Sequence, residues 1–270
     1  MNRRAIGVFD SGLGGLTAMK ELSRLLPGED IVYFGDTSRV PYGTRSADTI
    51  IRYSKQDLNF LSEFDIKAAL VACGTISAVA LETIKDDYSF PIVGVIDSAA
   101  AAAARYTRNG KIGIIGTNAT IKSGAYEKKL QSIAPECQTM SIACPLFVPL
   151  VENGHIEKND PLIVNAIELY LSKLIPFGAD TIILGCTHYP IIAHTIGNFV
   201  GESVKLVDPG REAAKTISDM LLENDMLSDG ECGTHSYYVS DSIENFETLG
   251  GIFMRRSING EVHKIDIEKY

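Results

Sequence analysis

Two of the five cysteines in this 270-residue chain follow short apolar runs that predict buried β-strands. Cys73 ends the run ALVAC, and Cys186 ends the run IILGC. We expect a helix to begin just after each cysteine, and Pro190, a residue suited to the first turn of a helix, supports the second one. A thiol near helix N-terminal amides can have a lowered pKa, so the sequence predicts an accessible thiolate at both positions.

The pairing of these two thiols indicates proton transfer. Either cysteine alone could be a nucleophile, since the sequence assigns a partner to neither. If Cys73 and Cys186 face each other across a cleft, one can remove a hydrogen from a carbon while the other returns one to the opposite face. That arrangement inverts a stereocentre.

Three ionisable side chains could assist the two thiols. Asp10 follows the first predicted strand and belongs to the Cys73 side, whereas Glu152 and His188 belong to the Cys186 side. Each could help its thiol to exchange a proton. Taken singly, Glu152 could also be a solvated loop charge, and His188 a helix cap.

Hydroxyl groups follow several of the same predicted strands. Their side chains and backbone amides could bind the charged ends of an amino acid. They belong to Ser11, Thr75, Thr117 and Thr187.

The loop 12–15, with the sequence GLGG, gives a competing signal. It follows a strand and opens a helix, and Asp36 lies about where a dinucleotide-binding unit places its ribose-binding acid. Thr17, however, stands where the third glycine of that fingerprint belongs. The helix that follows could hold a substrate carboxylate as well as a pyrophosphate, and the glycines could also merely form a tight turn.

The elements that position these residues alternate between short β-rich runs and helical patterns. This predicts an α/β fold of parallel βαβ units, in which ligands bind beyond the carboxyl ends of the strands. The predicted strands cover 5–9, 31–34, 68–72, 92–96, 111–115, 139–143, 181–184 and 204–207. Helices are predicted at 16–26, where Pro27 and Gly28 end an apolar periodicity, and across the alanine run 99–104.

The order of elements repeats along the chain. GVFD at 7–10 opens one strand-loop-helix unit, GIIG at 113–116 opens another, and the third strand of each half ends in a cysteine. The sequence therefore predicts two related lobes with mostly parallel sheets flanked by helices. The active site is expected in the cleft between them.

Composition excludes several classes of protein. A formal net charge of −9 argues against nucleic acid as the main partner, because such binding depends on phosphate neutralisation by Lys and Arg. No apolar run approaches the roughly 20 residues of a membrane span, and the apolar stretch after the N-terminal arginines is too short for a signal peptide. An odd number of cysteines without such a signal favours a reducing compartment, so we expect a cytoplasmic protein.

The cysteines and histidines do not suggest a metal site. No CxxC pair occurs, and Cys186 with His188 alone does not make a closed set of ligands. We therefore predict neither a metal nor a cofactor. The remaining cysteines, Cys137, Cys144 and Cys232, are expected to be small buried hydrophobes.

Five motifs together resemble those of bacterial glutamate racemases. They are GVFDSGLGG at 7–15, FGD at 34–36, PYG at 41–43, VENG at 151–154 and GCTHYP at 185–190. The match runs in order over about the first 210 positions and is most specific at 186–190.

The resemblance implies a cofactor-independent isomerase that interconverts L- and D-glutamate and supplies D-glutamate for peptidoglycan. In such enzymes the thiol that matches Cys73 acts on the D-isomer, and the thiol that matches Cys186 acts on the L-isomer. The resemblance also implies that the C-terminal segment returns to the first lobe. We therefore expect one lobe at 1–97 plus 208–270 and the other at 98–207, with a homodimer left open.

The candidate catalytic residues are Cys73, Cys186, Asp10, Glu152 and His188. The candidate substrate-binding residues are Asp10, Ser11, Pro41, Tyr42, Gly43, Gly74, Thr75, Thr117, Thr120, Thr187 and His188. The chain departs from the family pattern at Gly74, because the family usually has asparagine after the first cysteine. One side-chain contact with the substrate is therefore in doubt.

Two other classes of function stay open at this point. The first is a racemase for another acidic amino acid such as aspartate, or a related carbon-acid enzyme. The second is a non-catalytic protein that binds an amino acid or a nucleotide. Pocket size separates glutamate from aspartate, and the paired thiols argue against a protein that only binds.

Overall fold

A computed structural model describes residues 3–254, 256–258 and 262–270. The strands that it describes are β1 (Ala5–Asp10), β2 (Ile31–Gly35), β3 (Ile66–Val71), β4 (Ile92–Gly94), β5 (Lys111–Gly116), β6 (Gln138–Ala143), β7 (Thr181–Gly185), β8 (Lys205–Val207), β9 (His235–Val239) and β10 (Val262–Lys264). They form a six-stranded sheet in the order β10-β9-β2-β1-β3-β4 and a four-stranded sheet in the order β6-β5-β7-β8. Every described pair of neighbouring strands is parallel, which confirms the predicted α/β class.

Helices connect the strands and pack around the two sheets. They are α1 (Leu16–Leu25), α2 (Ala47–Leu61), α3 (Gly74–Val79), α4 (Leu81–Ile84), α5 (Val95–Tyr106), α6 (Asn118–Ser123), α7 (Ala125–Ile133), α8 (Phe147–Glu152), α9 (Pro161–Leu171), α10 (Leu174–Phe177), α11 (Ala193–Val200), α12 (Pro209–Glu223) and α13 (Ile243–Met254). Single 3₁₀ turns occur at Tyr42–Thr44, Lys85–Asp87, Tyr189–Ile192 and Ile267–Lys269. Within the described ranges no helix has the length and apolar character needed to cross a membrane.

The two sheets share one topology. The order β2-β1-β3-β4 of the first sheet repeats as β6-β5-β7-β8 in the second, so β3 and β7 occupy equivalent places. Cys73 follows β3 and Cys186 follows β7, each beyond the carboxyl end of its strand. The duplication predicted from the sequence is therefore visible in the strand order.

The central strands are buried on both faces, as parallel strands between helix layers must be. Every residue of β3 is buried, including Lys67. The charge of Lys67 is balanced by Glu29, whose Oε2 lies 2.5 Å from Nζ. An unpaired ammonium at such a site would be strongly destabilising, so this ion pair is what permits a lysine in the strand.

Helix starts follow from local capping. Asp208 comes directly after β8 and accepts hydrogen bonds from the amides of Gly210 and Arg211 at 3.0 and 3.2 Å. Pro209 occupies the first turn of α12. This cap begins α12, which packs against α1 of the first sheet and α5.

Several element bounds differ from the sequence-based prediction. The strand predicted at 92–96 ends at Gly94, because Val95 already begins α5. β3 begins at Ile66, two positions before its predicted start at 68, and the helix predicted at 16–26 ends at Leu25. The alanine run 99–104 lies inside α5, as predicted.

The C-terminal segment contributes two strands that were not predicted. β9 pairs with β2, and β10 pairs with β9, so both extend the first sheet. The proposed lobe boundaries near 97 and 208 stay a prediction.

Candidate active site

A cavity of about 360 Å³ lies beyond the carboxyl ends of β3 and β7. It is lined by most of the predicted site residues, namely Ser11, Pro41, Tyr42, Gly43, Cys73, Gly74, Thr75, Thr117, Glu152, Cys186, Thr187 and His188. Asp10 and Thr120 are not among its lining residues and lie behind the wall. The lining contains no Lys or Arg, so polar recognition there depends on hydroxyls, thiols, backbone amides, His188 and Glu152.

The Cys73 side of the cavity contains a buried carboxyl group. Cys73 is the residue before α3, and its Sγ lies 3.5 Å from the Ser11 hydroxyl. Asp10 is fully buried behind it and accepts a hydrogen bond from the Gly12 amide at 3.1 Å through Oδ2. The other carboxyl oxygen of Asp10, Oδ1, is buried without a hydrogen-bond partner in the described structure.

The electrostatics on this side differ from the sequence-based expectation. Burial and the nearby Asp10 charge raise the pKa of Cys73 to about 12, despite hydrogen bonds from Ser11 and the Ile76 amide. Burial also raises the pKa of Asp10. The prediction that helix amides make the Cys73 thiolate readily accessible is therefore wrong, because desolvation outweighs the amides. This raised pKa favours the thiol form of Cys73 over the thiolate.

The Cys186 side is organised as a relay of three groups. His188 Nδ1 lies 3.8 Å from Cys186 Sγ, and His188 Nε2 lies 3.0 Å from Glu152 Oε1. Burial lowers the pKa of His188, but its contacts with Cys186 and Glu152 outweigh burial and raise that pKa to about 10. The imidazole ring also packs edge-on against Phe253 of α13, with ring centroids 5.6 Å apart.

These contacts decide between the alternatives for Glu152 and His188. His188 is the N-cap residue of the 3₁₀ turn Tyr189–Ile192, but its side chain makes no capping hydrogen bond and is directed to Cys186 and Glu152 instead. Glu152 is the last residue of α8 and points to His188, so it is not a freely solvated loop charge.

Three threonine hydroxyls join the two halves beside the thiols. Thr117 Oγ1 lies 3.0 Å from Thr75 Oγ1 and 3.0 Å from Thr120 Oγ1. Thr117 also caps α6 by accepting from the Thr120 amide at 3.3 Å. Thr120 therefore orients the two hydroxyls that line the cavity.

The glycine loop 12–15 allows the two halves of the chain to approach each other closely. A methyl group on Gly14 would lie 2.1 Å from Thr187 Oγ1. Thr17 Oγ1, 2.8 Å from the Gly14 carbonyl oxygen, donates across the cleft to the Thr187 carbonyl oxygen at 3.0 Å. Asp36 is fully buried and ion-paired with Arg39, so it does not present a carboxylate to a ribose. The dinucleotide interpretation therefore finds no support in the geometry.

Gly74 is likewise a point of close approach. A Cβ at this position would lie 2.5 Å from the carbonyl oxygen of Gly185, which precedes Cys186. The glycine therefore allows the start of α3 to lie directly against the end of β7. The family's asparagine would not fit here without a shift of one of these segments.

Sequence reasoning missed several residues of the cavity wall. They are Gly12, Val40, Thr44, Asn118, Cys144, Pro145, Val148, Pro149 and Gly185. Most are apolar or small residues without a chemical signature, and only their positions beside predicted motifs could have indicated them.

The three remaining cysteines do not share one environment. Cys144 is buried as predicted and forms part of the cavity wall. Cys137 is only partly buried and Cys232 is exposed, so the prediction of a buried hydrophobe is wrong for both. Cys137 directly precedes β6 and packs at the edge of a hydrophobic core, whereas Cys232 lies in the connection before β9. Among the described residues no group of three or more His, Cys, Asp or Glu side chains could hold a metal ion.

Comparison with known proteins gives one consistent result. Residues 6–217 match the family model described as Asp/Glu/Hydantoin racemase. The chain is 47% identical over 266 residues to a glutamate racemase of Geobacter metallireducens. This alignment covers 98% of this chain and 97% of that relative.

Solved structures agree with the sequence comparison. A glutamate racemase of Bacillus anthracis superposes with a TM-score of 0.94 at 36% identity, covering 98% of each chain. A glutamate racemase of Francisella tularensis in complex with D-glutamate superposes with a TM-score of 0.93 at 35% identity, covering 100% of each chain.

Proposed function

The chain belongs to the Asp/Glu/Hydantoin racemase family, and we propose that it is a glutamate racemase in which Cys73 and Cys186 transfer protons on opposite faces of the substrate. The observation that carries the mechanism is the pair of thiols, at equivalent places after β3 and β7, lining one cavity. The relatives described above are glutamate racemases, and this favours glutamate over aspartate as the substrate.

The reaction needs one proton removed and one returned. With L-glutamate bound, Cys186 as a thiolate takes the α-proton, and its Sγ becomes a thiol. The electron pair left on the α-carbon then takes a proton from the Cys73 thiol on the other face, which leaves a thiolate at Cys73. D-glutamate follows the reverse course, so no cofactor or second substrate is consumed.

The neighbours of the two thiols suit these roles. A protonated His188 places positive charge beside Cys186, where a thiolate must exist before L-glutamate reacts. Glu152 holds the His188 ring in place through Nε2. On the other face the raised pKa of Cys73 favours the thiol form, which is the form that donates a proton to the carbanion.

The carboxylates of the substrate would be bound without a cationic side chain in the lining. The hydroxyls of Ser11, Thr75, Thr117 and Thr187, together with neighbouring backbone amides, supply the donors. Asp10 assists Cys73 from behind, and Thr120 acts by orienting Thr75 and Thr117.

The wider role that we propose is the supply of D-glutamate for peptidoglycan in the cytoplasm. All five cysteines are free, which suits a reducing compartment. We propose glutamate as the small-molecule partner, and this proposal does not depend on whether the chain forms a homodimer.

The test is incubation of the purified, cofactor-free protein with L-glutamate in D₂O. Optical rotation should decay to zero, and the D-glutamate that forms should carry deuterium at the α-carbon, because the returning proton comes from a solvent-exchanged thiol. The same protein with L-aspartate serves as the specificity control. No loss of rotation with glutamate, or activity that appears only after addition of pyridoxal phosphate or a metal, would overturn the proposal.

A further inference from the structure

The segment Val40–Thr44 forms one wall of the cavity and is held from behind by a buried polar cluster that the mechanism does not use. The cluster consists of Asp36, Arg39, Tyr42 and Asp57, which we call the loop anchor. Asp36 and Asp57 are fully buried, and Arg39 is 8% exposed. Burial of polar and charged groups is costly unless each group has a hydrogen-bond partner, and the groups of the loop anchor are partners of one another.

The guanidinium group of Arg39 spans the loop anchor. Its Nε donates to Asp36 Oδ2 at 2.5 Å, and its Nη2 donates to Asp57 Oδ1 at 3.2 Å. Its third nitrogen, Nη1, donates to Gln56 at 2.5 Å, and its Cζ atom lies 4.0 Å from the centre of the Tyr53 ring. Lysine could not reproduce this, because it has no planar fork of donors.

Tyr42 connects the loop anchor to the cavity. Its hydroxyl donates to Asp36, and it lies 3.2 Å from Asp57 Oδ2. Tyr42 and its two neighbours in the chain, Pro41 and Gly43, are lining residues of the cavity. The position of this wall is therefore set by the two carboxyl groups behind it.

The two carboxyl groups of the loop anchor have different contacts. Asp36 Oδ2 accepts hydrogen bonds from both Arg39 Nε and the Tyr42 hydroxyl. Asp57 accepts from Arg39 Nη2 and lies near the Tyr42 hydroxyl, with both distances at 3.2 Å. Burial and the neighbouring Asp36 charge raise the pKa of Asp57 well above its usual range.

The loop anchor also binds the C-terminal segment. Ser240, which follows β9, donates to Asp36 Oδ1 at 2.7 Å and accepts from the Ser38 amide at 2.9 Å. Glu268 lies 3.5 Å from Arg39 Nη1. The C-terminal residues thus close the outer side of the loop anchor.

We propose that Asp36 and Arg39 are positioning residues for substrate binding, which hold the wall Val40–Thr44 in place through Tyr42. This inference rests on the proposed glutamate racemase function. It gives the buried charges of the first lobe a role in affinity for glutamate, separate from the proton transfer at the thiols.

The first test is Tyr42→Phe, which removes only the hydroxyl that joins the wall to the loop anchor. We expect KM for both isomers to rise about 10-fold, the effect of losing a hydrogen bond to a charged group, while kcat changes less than about 3-fold. The two KM values should rise in parallel, because an equilibrium constant of one forces equal kcat/KM in the two directions. Tyr88→Phe, which removes a hydroxyl bonded to Lys55 and Asn59 away from the cavity, is the matched control and should leave both constants unchanged.

The second test compares two isosteric changes. Asp36→Asn alters the carboxylate that accepts from both Arg39 Nε and the Tyr42 hydroxyl, whereas Asp57→Asn alters a group whose contacts with Arg39 and Tyr42 are both longer, at 3.2 Å. KM should therefore rise more in Asp36→Asn than in Asp57→Asn, and circular dichroism and gel filtration of both variants would show whether they are folded. If Asp36→Asn does not fold, the Tyr42→Phe result decides alone.

The outcomes separate this inference from the proposed function. A wild-type protein that does not racemise glutamate contradicts the proposed function. An active wild-type protein whose Tyr42→Phe variant keeps its KM values, or loses only kcat, contradicts the positioning role. A larger KM effect in Asp57→Asn than in Asp36→Asn would also overturn it.

Discussion

At the scale of single residues, Cys73 and Cys186 follow equivalent strands but have different neighbours. Cys73 lies against the buried carboxyl group of Asp10, whereas Cys186 lies against His188, which Glu152 holds from the other side. A negative neighbour favours the thiol form and a positive neighbour favours the thiolate form. The two thiols therefore have surroundings that suit different roles, with Cys73 as the proton donor and Cys186 as the group that removes the proton of L-glutamate.

The asymmetry predicts sidedness in single-cysteine variants. In Cys186→Ser, Cys73 remains and should act only on a D-substrate, and in Cys73→Ser, Cys186 remains and should act only on an L-substrate. Racemisation should fall by several orders of magnitude in both variants. A glutamate analogue with a β-leaving group, offered as each isomer to each variant, should report one-sided proton removal as elimination.

The wild-type protein provides the control, since it should eliminate from both isomers of the analogue. If one variant kept full racemase activity, the second thiol would not be needed. If both variants preferred the same isomer, the two thiols would not face opposite sides of the substrate, and a single-base or nucleophilic mechanism would replace the proposed one.

The charge of His188 predicts how stability depends on pH. The pKa of His188 is raised to about 10 in the folded protein, whereas an unfolded histidine titrates near about 6.5. Between these values the folded state holds a proton that the unfolded state has lost, so stability falls as pH rises, by up to about 1.4 kcal/mol per pH unit. The contribution is fully present below about pH 6.5 and is lost as pH passes through about 10.

Urea unfolding of the wild type and of His188→Asn at pH 7 and pH 8.5 measures this effect. The difference in unfolding free energy between the two proteins should shrink as pH rises, because only the wild type carries the His188 proton. The raised pKa of Cys73 does not interfere, since both proteins share this thiol and its pKa shift does not come from His188. A difference that is constant over this window would mean that His188 is neutral in the folded protein.

At the scale of elements, the sequence predicts the parts that obey strong local rules. The first eight strands are short apolar runs, and the cysteine after β3 and the cysteine after β7 follow from that pattern. A duplicated strand order then brings the two strand ends to equivalent places, which explains why most candidate residues share one cavity.

Elements whose position depends on distant partners could not be predicted in the same way. β10 has only three residues, and β9 alternates partly exposed and buried positions, so neither gives a strong apolar pattern. β9 forms because β2 offers an edge for pairing, and β10 in turn pairs with β9. The loop anchor was missed for a similar reason, since Arg39 and Asp57 are 18 positions apart and look like ordinary surface charges in the sequence.

The pKa of Cys73 could not be predicted because local and tertiary effects oppose each other. The sequence shows the helix start that lowers a thiol pKa, but it does not show the depth of burial or the contact with Asp10. Desolvation is a property of the whole packed lobe, and here it is the larger effect.

At the scale of the whole molecule, side chains from the two halves of the chain meet beside the cavity. Thr17 bonds to the Thr187 carbonyl oxygen, and Thr75 bonds to Thr117. Separation of the two halves would break both hydrogen bonds and widen the cavity that glutamate enters. We therefore expect the two halves to separate and close during each turnover, with the change concentrated where the chain passes between the sheets, near Val95 and near Asp208.

A reversible cross-link across the proposed lobe boundary tests this motion. Ser98 of α5 and Thr216 of α12 lie on opposite sides of the boundary, and their hydroxyl oxygens are 2.8 Å apart. Cysteines at both positions should form a disulfide, because side chains this close permit the short Cβ separation that a disulfide requires. Oxidised Ser98→Cys/Thr216→Cys should lose about 10-fold or more in kcat, since a misplacement of about 1 Å between reacting groups can cost about 10²-fold.

Dithiothreitol should restore the rate in the same sample, whereas Ser98→Cys alone, treated with the same oxidant, should keep its activity. Full activity in the oxidised double variant would show that α5 and α12 do not move relative to each other, and the boundary near residues 97 and 208 would then have to be placed elsewhere.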